Sequence, residues 1–455
     1  MAHSNTLADN KFVRYFILIL VSIVGVSSYV AAEGLFAMEN TLLDTDGAYQ
    51  LTLDEYGALS GAYSLLVVYA GILLLGGVFI DKCGLRLSGI VSTLLLIGGA
   101  GLIVFSMIEH RIMISSGEGM AFINFMGHHL RKPILYGILG FALLGAGSEL
   151  SGVILTKVLS KWFRGQELAF AMASQIAIAR IGIGATYGAT PYLAEMYGGN
   201  VSIPLMIGVG ILIVGLLLYL VYCVYDKKLD NQLAATGVIT SVIDESDQFH
   251  WSDLGKLFKS KAFWMVCLIC CFYYGGVRKF DNFAAKFVVD RFDVAPEASG
   301  IFILVSSWTI AILTPLLGIY VDKKGKSLDL LIASSIMAVV NFLVLDIMVL
   351  PKPLLYCIFV LNGISFSLTA ASLWPLVARI LDLSVQGTGY AVVFWFQNIM
   401  FLLVPRIISN VAESSNQYVL VFCGMTVVSA IAAITFKHMD KRGDWKLNEV
   451  EKAED

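Results

Sequence analysis

The sequence predicts an all-α membrane protein, with twelve transmembrane helices in two six-helix bundles and both termini cytoplasmic. Three observations predict it. The 455 residues are 58% hydrophobic and only 14% charged, with a mean hydropathy of +0.79, whereas a soluble domain carries about 25% charged residues. Apolar runs repeatedly reach the ~20 residues that a ~30 Å hydrocarbon core requires. One loop motif also occurs twice, as Gly77-x-x-x-Asp81-Lys82-x-Gly84-x-Arg86 and as Gly318-x-x-x-Asp322-Lys323-x-Gly325-Lys326.

The apolar runs place spans at 12–36, 54–80, 85–107, 133–160, 166–194 and 202–224 in a first bundle, residues 1–224. A second bundle, 262–437, holds spans at 262–289, 297–320, 328–349, 353–380, 386–411 and 416–436. Residues 225–261 are polar and mixed in charge, which marks a cytoplasmic linker whose end, 251–263, reads as a short interfacial helix; 438–455 is a cytoplasmic tail. The first run, Phe12 to Ala32, is of full spanning length and lacks a clear cleavage site, so it reads as a span and not a signal peptide. Lysine and arginine set the orientation. Lys11, Arg14, Lys82, Arg86, Lys161, Arg164, Lys227, Lys228, Lys323, Lys324 and Lys326 all fall on one side, with the basic tail, while the loop 39–55 on the other side has acids and no base.

Two charges lie deep inside apolar segments. Glu149 precedes and Arg180 follows the basic turn Lys161-Trp162-Phe163-Arg164-Gly165, each roughly 20–25 Å from it along a helix. They therefore reach similar depth on neighbouring helices. Charges at such depth are costly and face a protein interior or a watery cavity, so these two are the first substrate-binding candidates. The alternative is that they pair with each other and lock two helices together.

The repeated motif, the span number and the polar central loop resemble the major facilitator superfamily, whose plan is two parallel six-helix repeats. Within it, Lys161–Gly165 through Ala179-Arg180-Ile181-Gly182, and Leu373-Trp374-Pro375-Leu376-Val377-Ala378 with Gln386-Gly387-Thr388 and Gln397-Asn398, are similar to a branch of lysosomal dipeptide transporters. The resemblance implies that Glu149 and Arg180 contact the termini of a dipeptide and that Tyr273 and Tyr274 belong to the site. It also implies that Gly77, Asp81, Lys82, Gly84, Arg86, Asp322, Lys323 and Gly325 act at a cytoplasmic gate. Arg278, Lys279 and Asp281 in span seven add charge that departs from this branch.

Span seven thus offers a second charged cluster. Arg278 and Asp281 are three apart and share a helix face, so Arg278 and Lys279 either line the cavity or form an intrahelical pair that snorkels outward. Tyr273, Tyr274 and Trp374 are the favoured ring walls, and Gln397 and Asn398 offer neutral hydrogen bonds or helix glue. Glu33 and Asp346, near the outer interface, read as solvated acids with proton binding as the alternative, Arg406 as facing the cavity or an outer acid, and His128-His129 as a solvated pair with too few neighbours for a metal. Cys267-x-x-Cys270 sits in an apolar run and reads as packing. Asn200-Val201-Ser202 is a formal glycosylation sequon on the outer side, although short motifs of this kind occur by chance.

These readings converge on a carrier for small zwitterionic solutes, dipeptides or amino-acid-like compounds, working by rocker-switch alternating access. An organic-anion or drug carrier of the same fold is the runner-up, and a non-transporting sensor a more distant alternative. No Ser/His, His/Glu or paired-Asp constellation suits an intramembrane hydrolase, and no cofactor motif is present. The partners are a small-molecule substrate and the lipid bilayer, with an accessory membrane subunit left open; no basic arm or face suggests nucleic acid. Short termini and spare loops point to a bacterial inner membrane, with an endolysosomal membrane as the alternative.

Overall fold

The structure, a computed structural model, describes residues 6–117, 122–163, 168–235, 259–380, 386–414 and 418–442, almost all of them helical. The first bundle contains α1 (Lys11–Glu33), a 3-10 turn (Phe36–Met38), α2 (Glu39–Leu43), α3 (Leu53–Ala62), α4 (Leu65–Tyr69) and α5 (Ile72–Ser116). It continues through α6 (Ile134–Trp162), α7 (Leu168–Met196) and α8 (Ser202–Ala235). The second contains α9 (Lys261–Tyr273), α10 (Lys279–Phe292), α11 (Gly300–Lys324), α12 (Ser327–Ile347), α13 (Lys352–Ile380), α14 (Gln386–Ser414) and α15 (Val419–Arg442). Among the described residues, ten helical stretches are long and apolar enough to cross a membrane. The expected second span, broken into α3, α4 and the start of α5, and the fifth, α7, are not among those ten.

Local chemistry explains where helices begin. Asn10 caps α1 by accepting from the amides of Phe12 and Val13, and Ser260 caps α9 by accepting from Phe263. Thr52 and Glu55 form a reciprocal capping box at α3, with bonds of 3.0 and 3.1 Å. Lipid-sized apolar side chains such as Ile213, Val214 and Leu217 stay exposed on α8, the surface expected of a helix whose solvent is hydrocarbon.

The repeat seen in the sequence has a backbone counterpart. Gly84 breaks α5 at φ 75°, and Gly325 separates α11 from α12 at φ 66°. Both sit in the left-handed region that glycine enters without steric cost.

Two departures from expectation shape the site. The outer loop folds as a two-stranded hairpin, β1 (Phe122–Phe125) against β2 (His128–Arg131), with Phe122 opposite Arg131. Span seven is not one regular helix: Tyr274–Arg278 forms a π-turn joining α9 to α10. Such turns insert a residue and re-aim the side chains beyond them.

The bundles meet mainly at the hairpin end. There α3 packs on α14 and α7 packs on α11, which are repeat-related pairs. One apolar cluster runs through the hairpin-end half of the first bundle and on into the second. A separate cluster at the opposite end, built from Ile17–Val24, Leu150–Phe163 and Tyr219–Leu229 residues, belongs to the first bundle alone. Among the described residues, therefore, buried apolar packing crosses between the bundles at the hairpin end, while the linker-end cluster stays within the first bundle.

Candidate functional site

Glu149 on α6 and Arg180 on α7 are both partly buried, and among the described residues neither forms an ion pair with the other or with any third group. Glu149 accepts a long bond of 3.4 Å from the Tyr63 hydroxyl. Beside it lies Asn398 of α14, fully buried, whose side-chain oxygen accepts from Ser64 at 2.7 Å and whose amide donates to the Phe394 carbonyl at 3.0 Å. The Arg180 guanidinium lies 4.3 Å from the centre of the Phe366 ring, and its Nη1 is buried with no hydrogen-bond partner. Tyr29 of α1 stands within electrostatic range of both charges. A carboxylate and a guanidinium, each without its counter-charge, thus occupy the first bundle where the second approaches it.

The second bundle answers with aromatic rings. Phe366 meets Tyr274 edge-on at 5.4 Å, and the Trp374 indole donates to the Tyr274 hydroxyl at 3.1 Å. Trp374 stacks on Phe394 at 4.6 Å. Tyr273 is turned into the second bundle, where its hydroxyl meets Ser365 at 2.7 Å. Gln397 receives the Cys270 thiol at 3.5 Å, while Cys267, Cys270 and Cys271 are free and buried. Of the sequence-derived aromatic candidates, Tyr274 and Trp374 therefore join the wall near Arg180. Phe366 was missed, because one phenylalanine among many in an apolar run carries no distinguishing signal.

At the hairpin end a polar network bridges the bundles. Arg278 pairs with Glu33 of α1 and, at 2.9 Å, with Asp281. Tyr187 donates to Glu33 at 2.9 Å, and Asn282 donates to Glu33 and to the Tyr187 oxygen at 3.2 Å each. Tyr56 donates to the Asn282 carbonyl. Glu33 is thus a buried, paired group, 7% exposed, and not the solvated acid its position near the interface suggested; Arg278, arriving from the other bundle, supplies the difference. Arg278 makes the intrahelical pair with Asp281 but is held inward by Glu33 instead of snorkelling outward. Lys279, 5% exposed, lies on the same network with its ammonium 3.3 Å from the Ser60 carbonyl and hydroxyl and 5.1 Å over the Phe401 ring. Among the described residues it has no carboxylate partner.

The hairpin adds an outer layer. Glu55 and Arg131, at 0% and 3% exposure, form a buried ion pair. His128 bonds Asp54 through Nδ1 at 2.6 Å, so it is partly buried and not freely solvated. Arg406 reaches the same Asp54 oxygen at 3.3 Å and also donates to the Gly127 carbonyl, which settles it on an outer acid. Asp346 is partly buried, and its backbone carbonyl receives Arg291 at 2.5 Å. The Asn200 side-chain oxygen is bound by Tyr49 at 3.2 Å and by the Ser202 amide at 3.1 Å, an internal turn.

At the linker end Arg86 bonds Asp226 and Asp230 on the extension of α8, and Lys161 reaches both at 2.6 Å. This network ties the first bundle to itself. Lys323 is exposed, while the surroundings of Gly77 and the side chains of Asp81, Lys82 and Asp322 lie outside the described residues, as does 251–258 of the expected interfacial helix.

A family model described as Major Facilitator Superfamily matches residues 15–405. The lysosomal dipeptide transporter MFSD1 of Danio rerio is 24% identical over 412 residues, taking in 87% of this chain and 80% of that protein. The Homo sapiens protein of the same name is 25% identical over 287 residues, covering 60% of this chain and 59% of its own length. Among solved structures, a mutant of the nucleoside transporter NupG superposes with a TM-score of 0.67 at 12% identity, over 92% of this chain and 99% of that one. A POT family transporter in complex with a thioalcohol-conjugated peptide also gives 0.67, at 10% identity, over 94% and 96%. At these identities the solved structures establish the fold.

Proposed function

The chain belongs to the Major Facilitator Superfamily, and on that premise we propose that it is a twelve-helix carrier for dipeptides or similar zwitterions, working by alternating access. The observation that carries this reading is the pair of unneutralised charges, Glu149 and Arg180, facing the junction of the two bundles. A dipeptide brings an ammonium for the carboxylate, a carboxylate for the planar guanidinium fork and a peptide group for neutral donors such as Asn398. Each end of the substrate supplies the counter-charge that the protein withholds. The names of the curated relatives support the same substrate class.

The cycle follows from the contacts. Closure at the hairpin end, with the linker-end cluster confined to the first bundle, corresponds to a state open toward the cytoplasm under the predicted orientation. Glu33, Arg278, Asp281, Asn282, Tyr187 and Tyr56 hold that closure, and outward opening must undo them. Gly84, Arg86, Lys323 and Gly325 serve the opposite gate in this reading.

A second reading is favoured by Lys279, whose buried ammonium without a carboxylate would suit an organic anion. A thermal-shift screen of the purified protein against dipeptides, single amino acids and organic acids separates the two. The dipeptide reading expects stabilisation by dipeptides that Glu149→Gln or Arg180→Ala removes. Stabilisation by organic acids alone would contradict it and leave the carrier fold standing.

A further inference from the structure

We propose that Phe366 is the positioning residue for Arg180, fixing the guanidinium so that its unpaired edge is presented to a carboxylate. This rests on the reading of Arg180 as the group that binds the substrate carboxylate.

The geometry is specific. The Arg180 guanidinium carbon lies 4.3 Å from the Phe366 ring centre, inside the range where a cation is attracted to the ring face. A guanidinium has five N–H donors, all in its plane. A ring that holds the guanidinium through its charge restrains it without the hydrogen bonds an acceptor would take. A carboxylate in the ring's place would take two of the five donors and supply the counter-charge, so a ligand's carboxylate would gain less. The buried, unpartnered Nη1 is the outcome of that choice.

Phe366 is itself held. It is 4% exposed on α13, with Tyr274 edge-on at 5.4 Å and an interplanar angle of 70°. Tyr274 is fixed by the Trp374 indole at 3.1 Å, and Trp374 by its stack on Phe394 and by the Tyr390 hydroxyl, which donates to the Trp374 carbonyl at 2.9 Å. The column Phe366–Tyr274–Trp374–Phe394 thus carries the rigidity of the second bundle to a cation of the first. Because Arg180 and Phe366 come from different bundles, the oriented guanidinium exists only while the bundles are together at this depth. Selectivity follows: a planar carboxylate gains from the fixed fork, whereas a carboxamide, which offers only one acceptor oxygen, does not.

The experiment measures binding of alanyl-alanine and of its C-terminal amide to the purified full-length chain by calorimetry, in wild type, Phe366→Leu and Phe366→Trp. Phe366→Leu is expected to weaken alanyl-alanine about five- to thirty-fold and to leave the amide unchanged, with Phe366→Trp restoring the difference. Equal losses for both peptides, or none for either, overturn the proposal, because a ring that merely packs does not discriminate between them. A readout that needs no ligand is the ring-current displacement of the Arg180 guanidinium resonances, assigned by their loss in Arg180→Lys. It is expected in wild type, absent in Phe366→Leu and present in Phe366→Trp. Failure of wild type to bind either peptide counts against the substrate reading, and an undisplaced Arg180 resonance then overturns the role of Phe366 independently.

Discussion

Arg278, the last residue of the π-turn in the second bundle, is ion-paired to Glu33 at the end of the first helix, so that one buried bond joins the two bundles at the hairpin end. The same guanidinium keeps Asp281 at 2.9 Å, and Glu33 also receives Tyr187 and Asn282. Glu33→Gln removes one charge from this cluster and leaves Arg278 shared with Asp281 alone. Breaking one side of a buried pair costs about 3–5 kcal/mol, and here the cost falls on the closed hairpin end. Electron double-resonance distances between labels at Asn124 and Glu297 are expected to gain a longer population in Glu33→Gln; an unchanged distribution would contradict a gate role.

Gly300 tests the same closure through shape alone. A Cβ added there would lie 1.8 Å from the Tyr187 carbonyl oxygen, across the α7–α11 contact between bundles. Backbone cannot yield as a flexible side chain does, so Gly300→Ala must push the two helices apart. The same label pair is expected to report separation, together with a lower melting temperature. A Gly300→Ala protein with wild-type distances would show that α7 and α11 do not form the hairpin-end seal.

Much of the fold was legible because its signals are periodic or repeated. The apolar runs marked the helices, and the doubled glycine motif gave Gly84 and Gly325, both found at positive φ. Glu149 and Arg180 stood out because charge in an apolar run is rare, and the structure leaves both without an ion-pair partner among the described residues. What the sequence hid were relationships between distant segments. Glu33 looked solvated until Arg278, 245 residues away, arrived beside it. The π-turn was invisible because helical spacing assumes a regular helix through Gly275 and Gly276. The hairpin was missed because its strands are only four residues each.

The hairpin is expected to contribute to stability through Glu55 and Arg131. Glu55 also accepts from the Arg131 backbone amide at 2.9 Å, and Arg131 donates to the Gln50 carbonyl at 2.6 Å. Arg131→Ala strands a fully buried carboxylate, a loss of about 3–5 kcal/mol. Thermal unfolding in detergent should shift down by several degrees. Arg131→Lys, which keeps charge but not the fork, is expected to recover only part of the loss, whereas full recovery would argue against bidentate recognition.

A second bridge lies in the hairpin layer. Arg406 of the second bundle and His128 of the first approach the same oxygen of Asp54, at 3.3 and 2.6 Å. Arg406→Ala removes that contact and the bond to the Gly127 carbonyl. The Asn124–Glu297 distance is expected to gain a longer population in Arg406→Ala, and an unchanged distribution would contradict a bridging role for Arg406.

The central claim is that Glu149 and Arg180 together hold a zwitterion at the junction of the bundles. Counterflow of a labelled dipeptide in proteoliposomes tests it most directly, with wild type, Glu149→Gln and Arg180→Ala at matched incorporation. The account predicts exchange in wild type and at least a ten-fold loss in each variant. Wild-type rates in both variants, or exchange of organic acids with none of dipeptides, would contradict it.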